Sequence, residues 1–199
     1  MNCLSVRIKR RAMVYTVVFA LLGIFWVGNT AAEGITDNDF RYLPSYCKSR
    51  FNRGADWEYW NGIFGSTWIH IHHYCIGLRA LQKSWAALGD EGARSFQLQR
   101  AERNFQYVLN VATRDFVIYP ELELKMGEVQ EQLGRGGEAV KFYSSAIRRK
   151  PDYAPAYGAL SAYYESVGDL DEAKKVIEKG LSQNPSSKSL KRRAAELGL

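Results

Sequence analysis

Two stretches decide the fold: GRGGEAVKFYSSAIRRKP, residues 134–151, and GDLDEAKKVIEKGLSQNP, residues 168–185. Gly134, Ala139, Tyr143, Ala146 and Pro151 of the first return 34 positions later as Gly168, Ala173, Ile177, Gly180 and Pro185. A fixed period of this size marks stacked helical hairpins, each too small to bury its apolar face alone. Ahead of the second stretch, residues 154–167 carry Tyr157, Leu160, Ser161 and Tyr164 at helical spacing. Gly168 ends that helix, where the chain needs a left-handed backbone. Asp169 starts the next helix, and Glu172 three residues on completes a capping box. Ala173 lies where the two helices cross, Ile177 and Gly180 continue the same face, and Pro185 stops it. The preceding copy, from about residue 120 to 151, keeps Met126 and Gly127 at matching places. Its turn, Gly134-Arg135-Gly136-Gly137, offers no cap, so it is expected to fray more.

The period, the small residue at the helix crossing, the turn glycine and the closing proline together resemble the tetratricopeptide repeat family, in its exported bacterial-type form. The resemblance covers roughly residues 120–187, with a degenerate repeat before them. This chain departs from the family pattern at Glu123 (usually aromatic), Gln130 (usually tyrosine) and Ser161 (usually a small glycine). The resemblance implies an all-α, right-handed helical-hairpin solenoid of about three repeats. It implies a protein–protein interaction scaffold, with no enzyme activity and no cofactor. It places the inner, concave surface on the first helix of each repeat: Glu121, Leu124, Glu128, Glu131 and Gln132, then Pro155, Gly158, Ala162, Glu165 and Ser166. In the degenerate hairpin the same places fall near Ile71, Tyr74, Leu78, Leu81 and Gln82. Such a groove is apolar at its N-terminal end and acidic in the middle. It suits a segment of a partner protein that carries basic residues beside an apolar anchor. The alternative is that these glutamates are a solvated face or pair with Arg192. Changing Glu128 and Glu131 together to lysine is then expected to slow partner capture and leave melting nearly unchanged.

Upstream of the clean repeats, residues 68–119 read as the degenerate hairpin, with helices over about 68–88 and 95–111. From Gly77 to Ala101 is 24 residues, against 12 from Gly127 to Ala139. About 12 extra residues are therefore expected at the turn, around Gly89-Asp90-Glu91-Gly92. Residues 33–67 hold a short helix from Pro44 to about Phe51 and then Trp57, Tyr59, Trp60 and Phe64, with Trp68 directly after them. The raw end of a solenoid must be covered, so this segment reads as an N-terminal cap; a stacking platform for a ligand is the rival reading. Downstream, Ser187 caps a closing helix over 188–197, with Leu190, Ala194 and Leu197 on its apolar stripe. The repeats themselves occupy 120–153 and 154–187.

The 199 residues carry 27 basic and 21 acidic side chains. Four of the basic ones, Arg7, Lys9, Arg10 and Arg11, lie in the first 32 residues, which hold no acid. The remainder is close to neutral, without the electrostatic footprint that phosphate backbones require, so no nucleic-acid partner is expected. The basic start, the uncharged run 12–28 and Thr30-Ala31-Ala32 read as a signal peptide over 1–32, cleaved before Glu33. An uncleaved membrane anchor is the alternative, and would be the only contact with a membrane. Either way the body is expected to be exported, to a periplasm. Loss of Cys3 with the leader leaves Cys47 and Cys75, expected to form a disulfide in an oxidising compartment.

His70-Ile71-His72-His73-Tyr74-Cys75 contains every histidine of the chain. At 100° per residue, His70 and His73 share one side of a helix while His72 and Cys75 lie nearly opposite. One helix cannot gather these four ligands on one metal, so no metal site is expected and packing is the plain reading. A small metal- or ligand-binding protein using residues 57–75 is the alternative function. Cys75 has no orienting carboxylate nearby in sequence, and neither Gly-x-Ser-x-Gly nor His-Glu-x-x-His occurs.

Overall fold

The computed structural model describes residues 34–199; the leader or anchor expected over 1–32 and Cys3 lie outside them. The compact body is Ile35–Leu199. Among the described residues there are nine α-helices: α1 Ser45–Asn52, α2 Trp57–Phe64, α3 Ile71–Ala86, α4 Glu91–Val111, α5 Tyr119–Gln132, α6 Gly136–Arg149, α7 Ala154–Ser166, α8 Leu170–Gln183 and α9 Lys188–Glu196. Helices α3 and α4, α5 and α6, and α7 and α8 pair as three successive hairpins, and α9 closes the array against α7 and α8. No helix of the described residues is long and apolar enough to cross a membrane.

The turns follow the repeat. Gly134 and Gly168 adopt φ of 73° and 84°, the left-handed conformation that lets each hairpin reverse without a Cβ clash. The Asp169 side chain accepts from the Glu172 amide, and Ser187 accepts from the Leu190 amide. The reciprocal half of the capping box is absent: the Glu172 carboxylate takes Lys175 instead, at 2.6 Å. At the Gly134 turn, α6 begins with no side-chain cap.

Within each hairpin the helices approach at one small residue. Ala101, Ala139 and Ala173 are fully buried. A Cβ at Gly127 would stand 2.4 Å from the Tyr143 ring, and one at Gly77 would stand 2.4 Å from the Phe105 ring. Glycine at these two places lets the second-helix aromatic lie on the backbone of the first helix. The same device thus recurs in the degenerate hairpin, where the sequence similarity is weakest.

That hairpin differs from expectation in where its extra residues lie. Helix α4 starts at Glu91, with Asp90 accepting from the Ala93 amide. The loop is only residues 87–90, against 133–135 in the next hairpin. The insertion therefore lengthens both helices, by about one turn in α3 and two in α4, and the turn itself hardly grows. Helix α3 also starts later than expected: Gly65–His70 is a 3-10 turn that follows α2, with Gly65 at φ 56°.

Two cores result. The first joins Leu43, Tyr46, Phe64, Trp68, Ile71, Leu78, Leu98, Phe105 and Phe116 with Leu122, Met126 and Val129 of α5. The second joins Leu124 of α5 with Ala139, Tyr143, Tyr157, Leu160, Ile177, Leu190 and Ala194. Helix α5 is thus buried on both flanks. Of its buried polar residues, Glu123 accepts through one carboxylate oxygen from Arg149 at 3.0 Å and from Ser145 at 2.7 Å, while its other oxygen has no partner among the described residues. The Gln130 amide donates to Glu102 of α4 at 2.9 Å. These bonds explain the departures at Glu123 and Gln130. The aromatic segment caps the first hairpin, with Trp57 and Phe64 packed on Trp68 at ring separations of 5.1 and 5.7 Å. Cys47 of α1 and Cys75 of α3 are paired, 5.7 Å apart at Cα.

Candidate functional site

Helix α3 packs on α5, α5 on α7 and α7 on α9, whereas α4, α6 and α8 stay farther from one another. The row of first helices is therefore the inner side of the array. On that side lies a cleft of about 290 Å³, lined by Tyr42, Pro44, Leu78, Leu81, Gln82, Trp85, Glu121, Lys125 and Glu128. Leu78 and Leu81 are buried and form its floor, while Tyr42 and Trp85 stand 69% and 54% exposed at its rim. The Gln82 amide donates to the Tyr42 carbonyl at 2.8 Å, holding the N-terminal lead-in beside α3.

The expected groove residues divide between this cleft and the core. Glu121 and Glu128 line the cleft, as do Leu78, Leu81 and Gln82. Tyr74 does not: it is fully buried, and its hydroxyl donates to Glu121 at 2.9 Å. Burial, then the Glu121 charge, pushes that hydroxyl far above the ordinary tyrosine range. Ile71 is likewise buried, and Leu124 belongs to the second core. The physical reason is rotation: one residue of register turns a side chain by 100°, from groove to core. Glu131 accepts from the Tyr143 hydroxyl at 2.7 Å. Gln132 accepts from Ser84 at 3.2 Å and from Arg94 at 3.4 Å, which ties α5 to the long hairpin. Glu165 pairs with Arg193; Arg192, the alternative partner of the groove glutamates, lies beside Glu196 of its own helix. Pro155 and Gly158 line a smaller cleft of about 140 Å³ with Leu190, Arg192 and Arg193, so α9 roofs the inner face there.

Glu128 pairs with Lys125 at 2.7 Å. Burial pushes its carboxyl above the usual range; Lys125 pulls it down, and Glu131 and Glu121 push it up again, leaving it raised. A lysine at position 128, where the side chain is 29% exposed, would lose the Lys125 pair, and one at 131 would lose the Tyr143 bond. The double lysine variant would thus remove two side-chain bonds as well as reverse the charge of the groove. Glutamine at 121 and 128 keeps an acceptor and removes only charge.

Sequence reasoning passed over Tyr42, Pro44, Lys125 and Trp85. Trp85 was within reach, because it continues the stripe of Leu78, Leu81 and Gln82 by one turn. Tyr42 was not, since it reaches the cleft through a bond spanning 40 residues. A larger cleft of about 390 Å³ opens between α6 and α8. No large apolar side chain of its lining is exposed, and the Glu172–Lys175 pair occupies its polar wall.

His70 and His73 pack against α4, whereas His72 turns back to the 3-10 turn before α3. His73 Nδ1 lies 2.9 Å from the Asn104 side-chain oxygen, and His70 Nδ1 lies 3.0 Å from the Tyr107 hydroxyl. His72 Nδ1 donates to the Ile69 carbonyl at 2.9 Å. Burial, then the neighbouring charges of His73 and Arg50, hold His72 below the ordinary histidine range. Among the described residues no group of three or more His, Cys, Asp or Glu side chains is placed to hold a metal ion.

Comparison with known proteins gives three results. Residues 131–197 match the family described as Tetratricopeptide repeat. The uncharacterized protein ycf37 of Pyropia yezoensis is 32% identical over 95 residues, or 48% of this chain. The match spans about half, 52%, of that relative's length. Among solved structures, the Sgt2 TPR domain from Aspergillus fumigatus is 18% identical with a TM-score of 0.45, covering 61% of this chain and 76% of its own. The first TPR of Spaghetti (RPAP3), bound to an HSP90 peptide, is 16% identical with a TM-score of 0.44, covering 61% and 92%. PcrH, in complex with the chaperone binding region of PopD, is 19% identical with a TM-score of 0.41, covering 59% and 85%.

Proposed function

We propose that this protein is a non-catalytic scaffold that holds a segment of another protein in the inner cleft, and that it serves as an assembly or secretion accessory factor in a cell envelope. The observation that carries the reading is the cleft itself. Two large rings, Tyr42 and Trp85, remain exposed beside a floor of Leu78 and Leu81, on the side of the array where the helices draw together. Contiguous exposed apolar surface rimmed by polar groups is what protein-binding sites present. Export rests on residues 1–32, with their basic start, uncharged run and small residues, whether that segment is cleaved or kept as an anchor. The paired Cys47 and Cys75 are consistent with an oxidising compartment.

Photo-cross-linking in intact cells tests the reading by position. A photoreactive residue at Gln82, in the cleft, should yield a discrete adduct with one protein; the same residue at Lys141, exposed on α6, should not. Equal labelling from both positions, or none from Gln82, would overturn it.

A further inference from the structure

The cleft has a charge imbalance that selects among partners. Its lining carries two carboxylates, Glu121 and Glu128, and one cation, Lys125, already paired to Glu128. Glu121 is held by a neutral donor, the Tyr74 hydroxyl, and no salt bridge compensates it among the described residues. The excess negative charge acts on its surroundings: Tyr153, raised first by burial and then by Glu121 and Glu128, is pushed up to about 12. Beside these carboxylates stand the exposed faces of Trp85 and Tyr42, above buried Leu78 and Leu81. An aromatic face attracts a cation, and more strongly where water is partly excluded. Lysine and arginine also cover apolar surface with their stems while keeping the charge at a polar rim.

We infer that the cleft recognises a lysine or arginine side chain of the partner segment, its stem over Leu78 and Leu81 and its charge between the rim aromatics and Glu121. This rests on the cleft being the partner-binding site. An acidic segment would instead meet Glu121 and Glu128 with only a neutralised lysine to receive it.

Blocked peptides test the inference on the full chain. The probes are acetyl-Leu-Arg-Leu-amide, its lysine form, and the glutamine and glutamate forms. The readout is the Trp85 indole N–H resonance, identified by its loss in Trp85→Phe. The arginine and lysine peptides should shift it saturably in the millimolar range. The glutamine peptide should bind roughly tenfold more weakly, and the glutamate peptide more weakly still. In Glu121→Gln/Glu128→Gln the arginine peptide should fall to the level of the glutamine peptide, with resonances away from the cleft unmoved. Should that variant not fold, the comparison of peptides on the parent chain still decides. Equal shifts by all peptides, or no shift by any, overturn the inference. If cross-linking from Gln82 persists in that case, the scaffold reading stands without it; if it is lost too, both fail.

Discussion

Glu123 offers a quantitative test of how the array tolerates a buried charge where an aromatic would be ordinary. Its side chain is 6% exposed and meets Arg149 Nε at 3.0 Å, while Arg149 is 33% exposed. The same guanidinium lies 3.7 Å from the centroid of the Tyr119 ring. Arg149→Ala would leave the Glu123 carboxylate in place with only Ser145 as a partner. Breaking a fully buried pair costs about 3–5 kcal/mol. Because Arg149 is one-third exposed, water reaches it, and the cost is discounted to roughly 2–3 kcal/mol. For a body of this size that corresponds to a fall in Tm of about 4–12 °C. Removing both charges together, as Glu123→Leu/Arg149→Met, fills similar volume without an unpaired charge. It should return the loss to within about 1 kcal/mol of the parent. Urea unfolding of the parent, Glu123→Leu, Arg149→Met and the double variant closes the cycle, with Arg149→Ala measured beside them. If Arg149→Ala costs less than about 0.5 kcal/mol, or if the double variant is as unstable as the singles summed, the pair is not what stabilises Glu123 and the reasoning fails.

Three further outcomes are expected. Gly127→Ala drives a Cβ to 2.4 Å from the Tyr143 ring and should cost about 1–3 kcal/mol in urea unfolding, whereas Gly158→Ala meets nothing within 4 Å and should be neutral or stabilising by up to about 1 kcal/mol. His72 is held below the ordinary value of 6.5 in the folded chain, so as pH falls through 6.5 the unfolded chain takes the proton first and stability is lost; the Tm of His72→Asn relative to the parent should therefore be higher at pH 5 than at pH 7.5, and a pH-independent difference would contradict this. Thiol titration of the denatured, unreduced protein should find no free thiol at Cys47 and Cys75, and reduction should cost about 3–4 kcal/mol for a separation of 28 residues; titration of both thiols would exclude the bond.

What the sequence made legible was local or periodic. The glycine turns, the Asp169 and Ser187 caps and the alanine crossings each depend on a few neighbouring residues, and the structure has them. The length change in the first hairpin was legible as a number but not as a place. A count of residues between Gly77 and Ala101 does not distinguish a longer loop from longer helices. Helix α2 was obscured because it is only eight residues long, so Glu58 and Asn61 mark a polar face over a single turn, and Gly62 interrupts it. The cleft was half legible. Glu121, Glu128, Leu78, Leu81 and Gln82 followed from register, while Tyr74 and Leu124 turned inward by the margin of one residue. Tyr42 depends on where the lead-in folds back, and nothing local in its sequence sets that. On α9 it is Arg193, one residue on from Arg192, that faces Glu165, for the same rotational reason.

The central claim is that the inner cleft, rather than exposed apolar surface in general, holds the partner. The direct measurement is the Kd of the protein cross-linked from Gln82, determined side by side for Trp85→Ala and Phe96→Ala. Both side chains are more than half exposed, but only Trp85 lines the cleft. Loss of a central aromatic anchor at an interface costs about 2 kcal/mol or more, roughly thirtyfold in Kd. The account predicts that loss for Trp85→Ala and a change within about twofold for Phe96→Ala. Equal weakening by both variants, or none by Trp85→Ala, would contradict it.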